Sequence, residues 1–304
     1  MISYTSAGFV KRLLAKIAGF GAAGGAMATS VAERIAERID AMPAGERRAA
    51  QTLIGSYPLV GLRTVAEFST QAGVSSPTIL RFVARLGFQN YAEFQAALQE
   101  ELAAQLQSPL VRATGGGAPS GDGNPMLAAT VDNLHETFRH FSARQVEAVV
   151  KLLAGPRGRV LLIGGRFTDP IARYMAAHLA IIRPDVFHLA GQESNWRDRL
   201  IDMGKGDVLV IFDIRRYQPS LLELARKAAG RGVAIVLFTD QWLSPIARHA
   251  RHVVAGRTAV PSAWDSSASL FVAAEVVIGE LTRRLESQSA SRIKQMESLR
   301  GDAD

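Results

Sequence analysis

The stretch 64–88 reads TVAEFSTQAGVSSPTILRFVARLGF, and it constrains the fold of this chain more than any other segment. Two short helical patterns flank a glycine-centred turn, the arrangement by which a helix-turn-helix is written. Val65, Ala66 and Phe68 give the first helix an apolar side that runs out near Gln71. Gly73 suits the left-handed backbone of a tight turn, and Val74 is placed to plug the angle between the helices. Ser75 or Ser76 offers an N-cap hydroxyl, and Pro77 stands in the first turn, where a missing N–H costs nothing. Ile79, Phe82, Val83 and Leu86 fall at i, i+3, i+4 and i+7, one buried stripe, and Gly87 is the stop signal.

Residues off that stripe carry the functional reading. Ser75, Ser76, Thr78, Arg81 and Arg85 lie toward the start and outer face of the second helix. In such a motif this region enters the major groove of double-stranded DNA, where hydroxyls and guanidinium groups reach base edges or phosphates. A small helical bundle with a glycine turn is the plain structural alternative.

The chain has 304 residues and a net charge of +7, enough for two domains and compatible with a nucleic-acid partner. Residues 1–106 carry 10 Lys/Arg against 8 Asp/Glu, whereas residues 126–285 carry 21 against 15. DNA contacts therefore have to come from a few placed arginines, doubled by dimerisation, rather than from a basic arm. Absence of cysteine excludes disulfides and thiolate metal sites and suits a cytosolic protein. The six histidines show no ligand spacing with carboxylates, so neither metal nor cofactor is expected. No apolar run reaches the length of a membrane span. The first 28 residues read as a disordered extension, with Met27 as a candidate natural start.

Organisation follows from pattern changes. Helices over about 31–42, 44–54 and 91–106 surround the motif and make a five-helix unit at 29–106. Residues 107–125, QSPLVRATGGGAPSGDGNP, read as a flexible linker. After a helix over about 126–141, the runs VLLIG at 160–164, VFHLA at 186–190, VLVIF at 208–212, VAIVLF at 233–238 and VVA at 253–255 alternate with helical stretches. They predict an open, five-stranded parallel sheet, an α/β domain doubly wound over 126–285, with a tail at 286–304. Ligands on such sheets gather where strands turn into helices.

Two of those turns are candidate ligand loops. Gly164, Gly165, Arg166 and Thr168 lead into a helix near Pro170, a generic anion site and not a dinucleotide fingerprint. Arg215, Arg216 and Tyr217 end the third strand and could grip a carboxylate or phosphate; alternatively, Asp213 neutralises one arginine and the other joins an ion pair. Ser262, Asp265 and Ser266 read as caps of a last helix over about 267–286.

Taken together, the order resembles the RpiR family of bacterial transcriptional regulators. The S-x-x-T-x-x-R-F-x-x-x-L-G-F core stands at Ser75, Thr78, Arg81, Phe82, Leu86, Gly87 and Phe88. The C-terminal half is similar to the sugar isomerase (SIS) domain, through Gly164, Asp207 and the Thr239-Asp240…Ser244-Pro245-Ile246-Ala247 run. The resemblance covers about 29–285 and implies a ligand-responsive regulator that dimerises and commonly controls sugar catabolism genes. It departs where the family's second glycine becomes Arg166, its serine becomes Thr168, and its S-x-S-G-x-T cradle becomes Asp213, Ile214, Arg215, Arg216, Tyr217 and Gln218. The leading expectation is an anionic effector of different shape (a sugar phosphate, sugar acid or other carboxylate) held by Arg166, Arg215 and Arg216. The rival is a pocket filled by Arg215 and Tyr217, in a domain that only dimerises.

An isomerase is the other function class, with His188 and Glu193 as the conceivable acid–base pair; the helix-turn-helix argues against it, and no catalytic residues are assigned. The expected mechanism has the sheet domain pairing two chains, as dimer or tetramer, while the linker lets two reading heads meet two half-sites of an operator.

Overall fold

The computed structural model describes residues 29–106, 124–155 and 158–301. The extension over 1–28 and nearly all of the predicted linker lie outside the described residues.

The head comprises α1 (Val31–Arg38), extended by a short 3-10 turn at Ile39–Ala41, α2 (Ala44–Gly55), α3 (Val65–Ala72), α4 (Ser76–Arg85) and α5 (Tyr91–Leu106). Reciprocal capping boxes start α1 and α3: Ser30 with Glu33, and Thr64 with Glu67. Gly73 ends α3 at φ +62°, a left-handed conformation that a side chain resists. Phe68 and Phe82 meet edge to face at 6.2 Å in a core that also buries Ile35, Leu53, Ile79, Leu86, Phe94 and Leu98.

The second domain contains α6 (Pro125–His140), α7 (Ala143–Leu153), β1 (Val160–Gly164), α8 (Asp169–Ile182), β2 (Val186–His188), α9 (Glu193–Asp198), β3 (Val208–Asp213), α10 (Pro219–Gly230), β4 (Ala234–Asp240), β5 (His252–Gly256), α11 (Ala268–Arg284) and α12 (Glu286–Gly301). All neighbouring strands are parallel, in the order β2-β1-β3-β4-β5. Alternate residues point to opposite faces. Val160, Leu162, Val208, Val210, Phe212, Val236 and Phe238 pack with α7, α8 and α11, and Phe212 stacks on Phe238 at 4.5 Å. Leu161, Ile163, Leu209, Ile211, Ile235 and Leu237 face α10, and the apolar cluster on that side continues into the core of the head.

The head is docked directly on its own sheet domain. The 3-10 turn Pro245–His249 packs against α2 and buries Ile246 and Ala247. Glu33 of α1 forms a buried two-point ion pair with Arg257, at 2.7 and 2.6 Å.

Two helices depart from the pattern reading. Ala143–Leu153 is a separate helix, capped by Ser142 and Gln145. The predicted tail is helical to Gly301, and Arg292 donates to the carbonyls of Ala180 and Ile181 at the end of α8.

Candidate functional site

The reading face is the outer side of α4. Its stripe of Ile79, Phe82 and Val83 is buried, which leaves Pro77, Leu80, Arg81 and Ala84 exposed. Ser75 stands at the N-cap without a hydrogen bond to the helix backbone; its hydroxyl instead meets the Thr78 hydroxyl at 2.9 Å. Arg81 donates to the same Thr78 oxygen at 3.1 Å, so three polar side chains form a ladder along the start of the helix. Ser76 is half-buried and turned toward Ser69 of α3.

Arg85 is placed differently. Its guanidinium pairs with the buried Glu46 of α2, and its carbonyl accepts from Arg38 of α1. Arg34 caps the neighbouring Leu86 carbonyl and lies over the Phe88 ring at 4.5 Å. Cations at this helix end complement its dipole and lock the angle at which α4 projects.

The second candidate site lies where the sheet order reverses, beyond the C-terminal ends of β1 and β3, the usual ligand position on such a sheet. A cavity of about 210 Å³ opens there, lined by Gly164, Gly165, Arg166, Asp169, Arg173 and Gln218, with Trp196 at its side. Gly164 is sterically required: a Cβ there would stand 2.4 Å from the Asp169 nitrogen. The Thr168 hydroxyl is spent internally, donating to the Phe212 carbonyl at 2.6 Å and accepting the Gly165 N–H at 2.9 Å. Asp169 accepts from the Gly164 N–H, meets His188 at 2.8 Å and lies 4.0 Å from Arg173. Sequence reasoning passed over Asp169 and Arg173, and met Gln218 only as the last position of the altered cradle. The i, i+4 spacing of Asp169 and Arg173 at the head of a helix was the signal for the first two.

The third loop is tightly tied. Arg215, 9% exposed, has φ +45°, and its N–H donates to Asp240 at 2.5 Å. Its guanidinium makes a two-point pair with Asp265, at 2.5 and 2.8 Å, and lies over the Trp242 ring at 4.4 Å. It also donates to the Ala104 carbonyl at 2.9 Å, in the last turn of α5. The partner of Arg215 is thus Asp265, a residue read from the sequence as a helix cap, and not Asp213. Ser266 does accept the Ala268 N–H, whereas Ser262 takes the Trp264 N–H. Tyr217 donates to Asp240 at 2.7 Å. Arg216 is exposed and makes no ion pair among the described residues. Gly164, Gly165 and Arg166 therefore meet at the cavity, while Arg215, Arg216 and Tyr217 are not in its lining.

Burial pushes two carboxyl groups of this rim upward. Asp213 rises to about 6 through burial, opposed by donors from Ser244 and Gln218. Asp240 rises to about 6 for the same reason, against the bonds from Tyr217, Arg215 and Trp242. Burial, then the neighbouring Asp240 charge, holds the Tyr217 phenol well above its usual range.

His188 and Glu193 do not form an acid–base pair: His188 meets Asp169, and Glu193 pairs with Arg197 one turn along α9. A wider depression of about 550 Å³ runs along the edge strand β2, between Phe187 and Arg199. It lies beside β2 rather than at the reversal of strand order, so geometry favours the smaller cavity as the ligand position.

Among the described residues no helix is long and apolar enough to cross a membrane. Residues 29–105 match the helix-turn-helix domain of the rpiR family, and residues 152–278 match the SIS domain. The chain is 27% identical over 227 residues to the bifunctional protein glk of Paraburkholderia xenovorans, a match covering 74% of this chain and only 35% of that protein. It is 23% identical over 236 residues to an uncharacterized HTH-type transcriptional regulator of Haemophilus influenzae, covering 74% of this chain and 79% of that protein. Its fold is similar to the sugar isomerase domain of an RpiR transcription factor from Sphaerobacter thermophilus, with a TM-score of 0.54, 20% identity, and coverage of 57% of this chain and 96% of that one. The chain thus joins a helix-turn-helix domain of the rpiR family to a five-stranded parallel SIS domain.

Proposed function

We propose that the chain binds an operator in double-stranded DNA through α4 and answers to a small anionic, carbohydrate-derived effector in the cavity at the strand-order reversal. The observation that carries the DNA reading is the outward face of α4, where Arg81 makes no ion pair among the described residues and lies beside the hydroxyls of Thr78 and Ser75. A guanidinium so placed can reach guanine O6 and N7 while the hydroxyls meet phosphate or base edges. Arg85, held by Glu46, sets the projection of the helix.

For the effector, two guanidinium groups, Arg166 and Arg173, share the cavity lining with one carboxylate, Asp169. This balance favours a phosphate or carboxylate, with Gln218 and the glycine-loop backbone as neutral donors. The active assembly is a homo-oligomer, dimer or tetramer, whose paired heads meet two half-sites.

A thermal-shift screen of the full chain against phosphorylated sugars, sugar acids and small dicarboxylates tests the effector reading, with Arg166→Ala/Arg173→Ala in parallel. A ligand at a hundred times its Kd stabilises by about 2.7 kcal/mol, a shift that the double variant should lose. The third loop supports a second reading, a sheet domain that serves only to pair chains, because Arg215 and Tyr217 spend their donors inside the protein. No shift with any compound, together with intact DNA binding, would favour that reading.

A further inference from the structure

The segment 257–267, between β5 and α11, runs back across the C-terminal rim of the sheet, and its two ends grip the two ends of the head. At one end, Arg257 holds Glu33 in the first turn of α1, with both side chains buried. Glu33 is also the reciprocal capping residue for Ser30. At the other end, Asp265 holds Arg215, which donates to the carbonyls of Ala104 and Gln105 in the last turn of α5. Between them the segment is fastened to α6: the Arg257 N–H donates to the Thr137 hydroxyl at 2.9 Å, and Asn133 donates to the Ala259 carbonyl at 2.8 Å.

The same segment reaches the cavity. Trp264, next to Asp265, packs on Phe167 with ring centroids 5.8 Å apart, although both rings are about 60% exposed. Arg166 lines the cavity and lies over Phe167 at 5.3 Å. An unbroken series of contacts thus runs from Arg166 through Phe167, Trp264, Asp265 and Arg215 to the final turn of α5. Arg215 is constrained along this path, because a non-glycine residue at φ +45° is kept there only by its surroundings.

We propose that segment 257–267 is a strap that couples the effector cavity to the reading head, with Trp264 at the sensing end and Arg215 and Arg257 as the residues that transmit. This rests on the regulator reading given above. A ligand anion that draws Arg166 off Phe167 loosens the Phe167–Trp264 contact and so changes the hold of Asp265 on Arg215. In turn, the seating of α5 changes. Coupling of this kind is reciprocal, so a disturbance at either end must be felt at the other.

The test uses hydrogen exchange on the full chain, with neither DNA nor effector present, and reads each variant at the far end of the strap. Trp264→Ala removes an exposed ring, and it should speed exchange in the last turn of α5 by about threefold or more. Asp265→Asn should do the same in the glycine loop at 164–168. Arg144→Ala, which breaks the exposed pair with Asp40 between the two domains, is the control and should alter neither region. Changes confined to the immediate neighbours of each substitution would overturn the strap. Failure of the parent chain to bind any DNA would instead sink the regulator reading, and the exchange result would stand independently of it.

Discussion

Arg81 and Arg85 lie four residues apart on one helix, yet the structure gives them different surroundings. Among the described residues Arg81 donates to a hydroxyl and makes no ion pair, whereas Arg85 neutralises a buried glutamate. Arg81→Ala should therefore weaken operator binding by about 1–3 kcal/mol and relax preference at one base position. Fluorescence anisotropy at constant salt checks this, and a folded variant with parental affinity would remove Arg81 from the base-reading set. Arg85→Ala should act first on stability, lowering Tm, with partial recovery when Glu46→Gln removes the stranded charge. Equal Tm values for Arg85→Ala and the parent would show the brace to be idle. The spacing of these arginines was plain in the sequence. Their division of labour was not, because Glu46 lies 39 residues from Arg85 and no local pattern links them.

Among elements, the best-read were those whose signal is local. The turn at Gly73, the proline-headed α4 and the five apolar runs of the sheet each carry their own periodicity or punctuation. Ala143–Leu153 also had a readable signal, the Ser142/Gln145 capping box ahead of Val146, Val149, Val150 and Leu153. The pattern reading assigns no element between 141 and 160. Glu286–Gly301 had none: among its described side chains Ser289 alone is buried, and the helix is held by docking on α8. The candidate cavity was half legible. Its glycine loop is contiguous in sequence, but Gln218 arrives from the next strand over, and Arg215 turns away because Asp265 and the carbonyls of α5 compete for its donors. At this scale Gly164→Ala is the sharpest test. Its Cβ would strike backbone atoms at 2.4 to 2.6 Å, so urea denaturation should show a loss of about 1–3 kcal/mol. A neutral result would mean that the glycine loop yields.

For the whole molecule, charge burial predicts the direction of the pH response. Asp213 and Asp240 are raised to about 6, and Glu101, which accepts from Tyr57 and from the Val31 N–H, is raised to about 7. A carboxyl whose folded pKa exceeds its unfolded value binds its proton more tightly when folded. Its stabilising contribution is complete below the unfolded pKa, near 4, and is lost as pH rises through the folded value. Thermal unfolding should therefore show these three groups eroding stability between about pH 4 and 7. Glu101→Gln should flatten the upper part of that slope, and an unchanged slope would place the proton elsewhere.

The docking of the head on its own sheet domain also bears on which operators the protein can accept. A head free on a tether would tolerate half-sites at several separations. If two chains pair on an operator as proposed, a head fixed by the Glu33–Arg257 pair and the seam at Ile246 would instead work as one jaw of a caliper, whose opening is set by how the two folded bodies meet. Inserting five base pairs between half-sites, about half a helical turn, should then abolish tight binding by the paired chains. Altering the length of segment 107–123 should leave the preferred separation where it was.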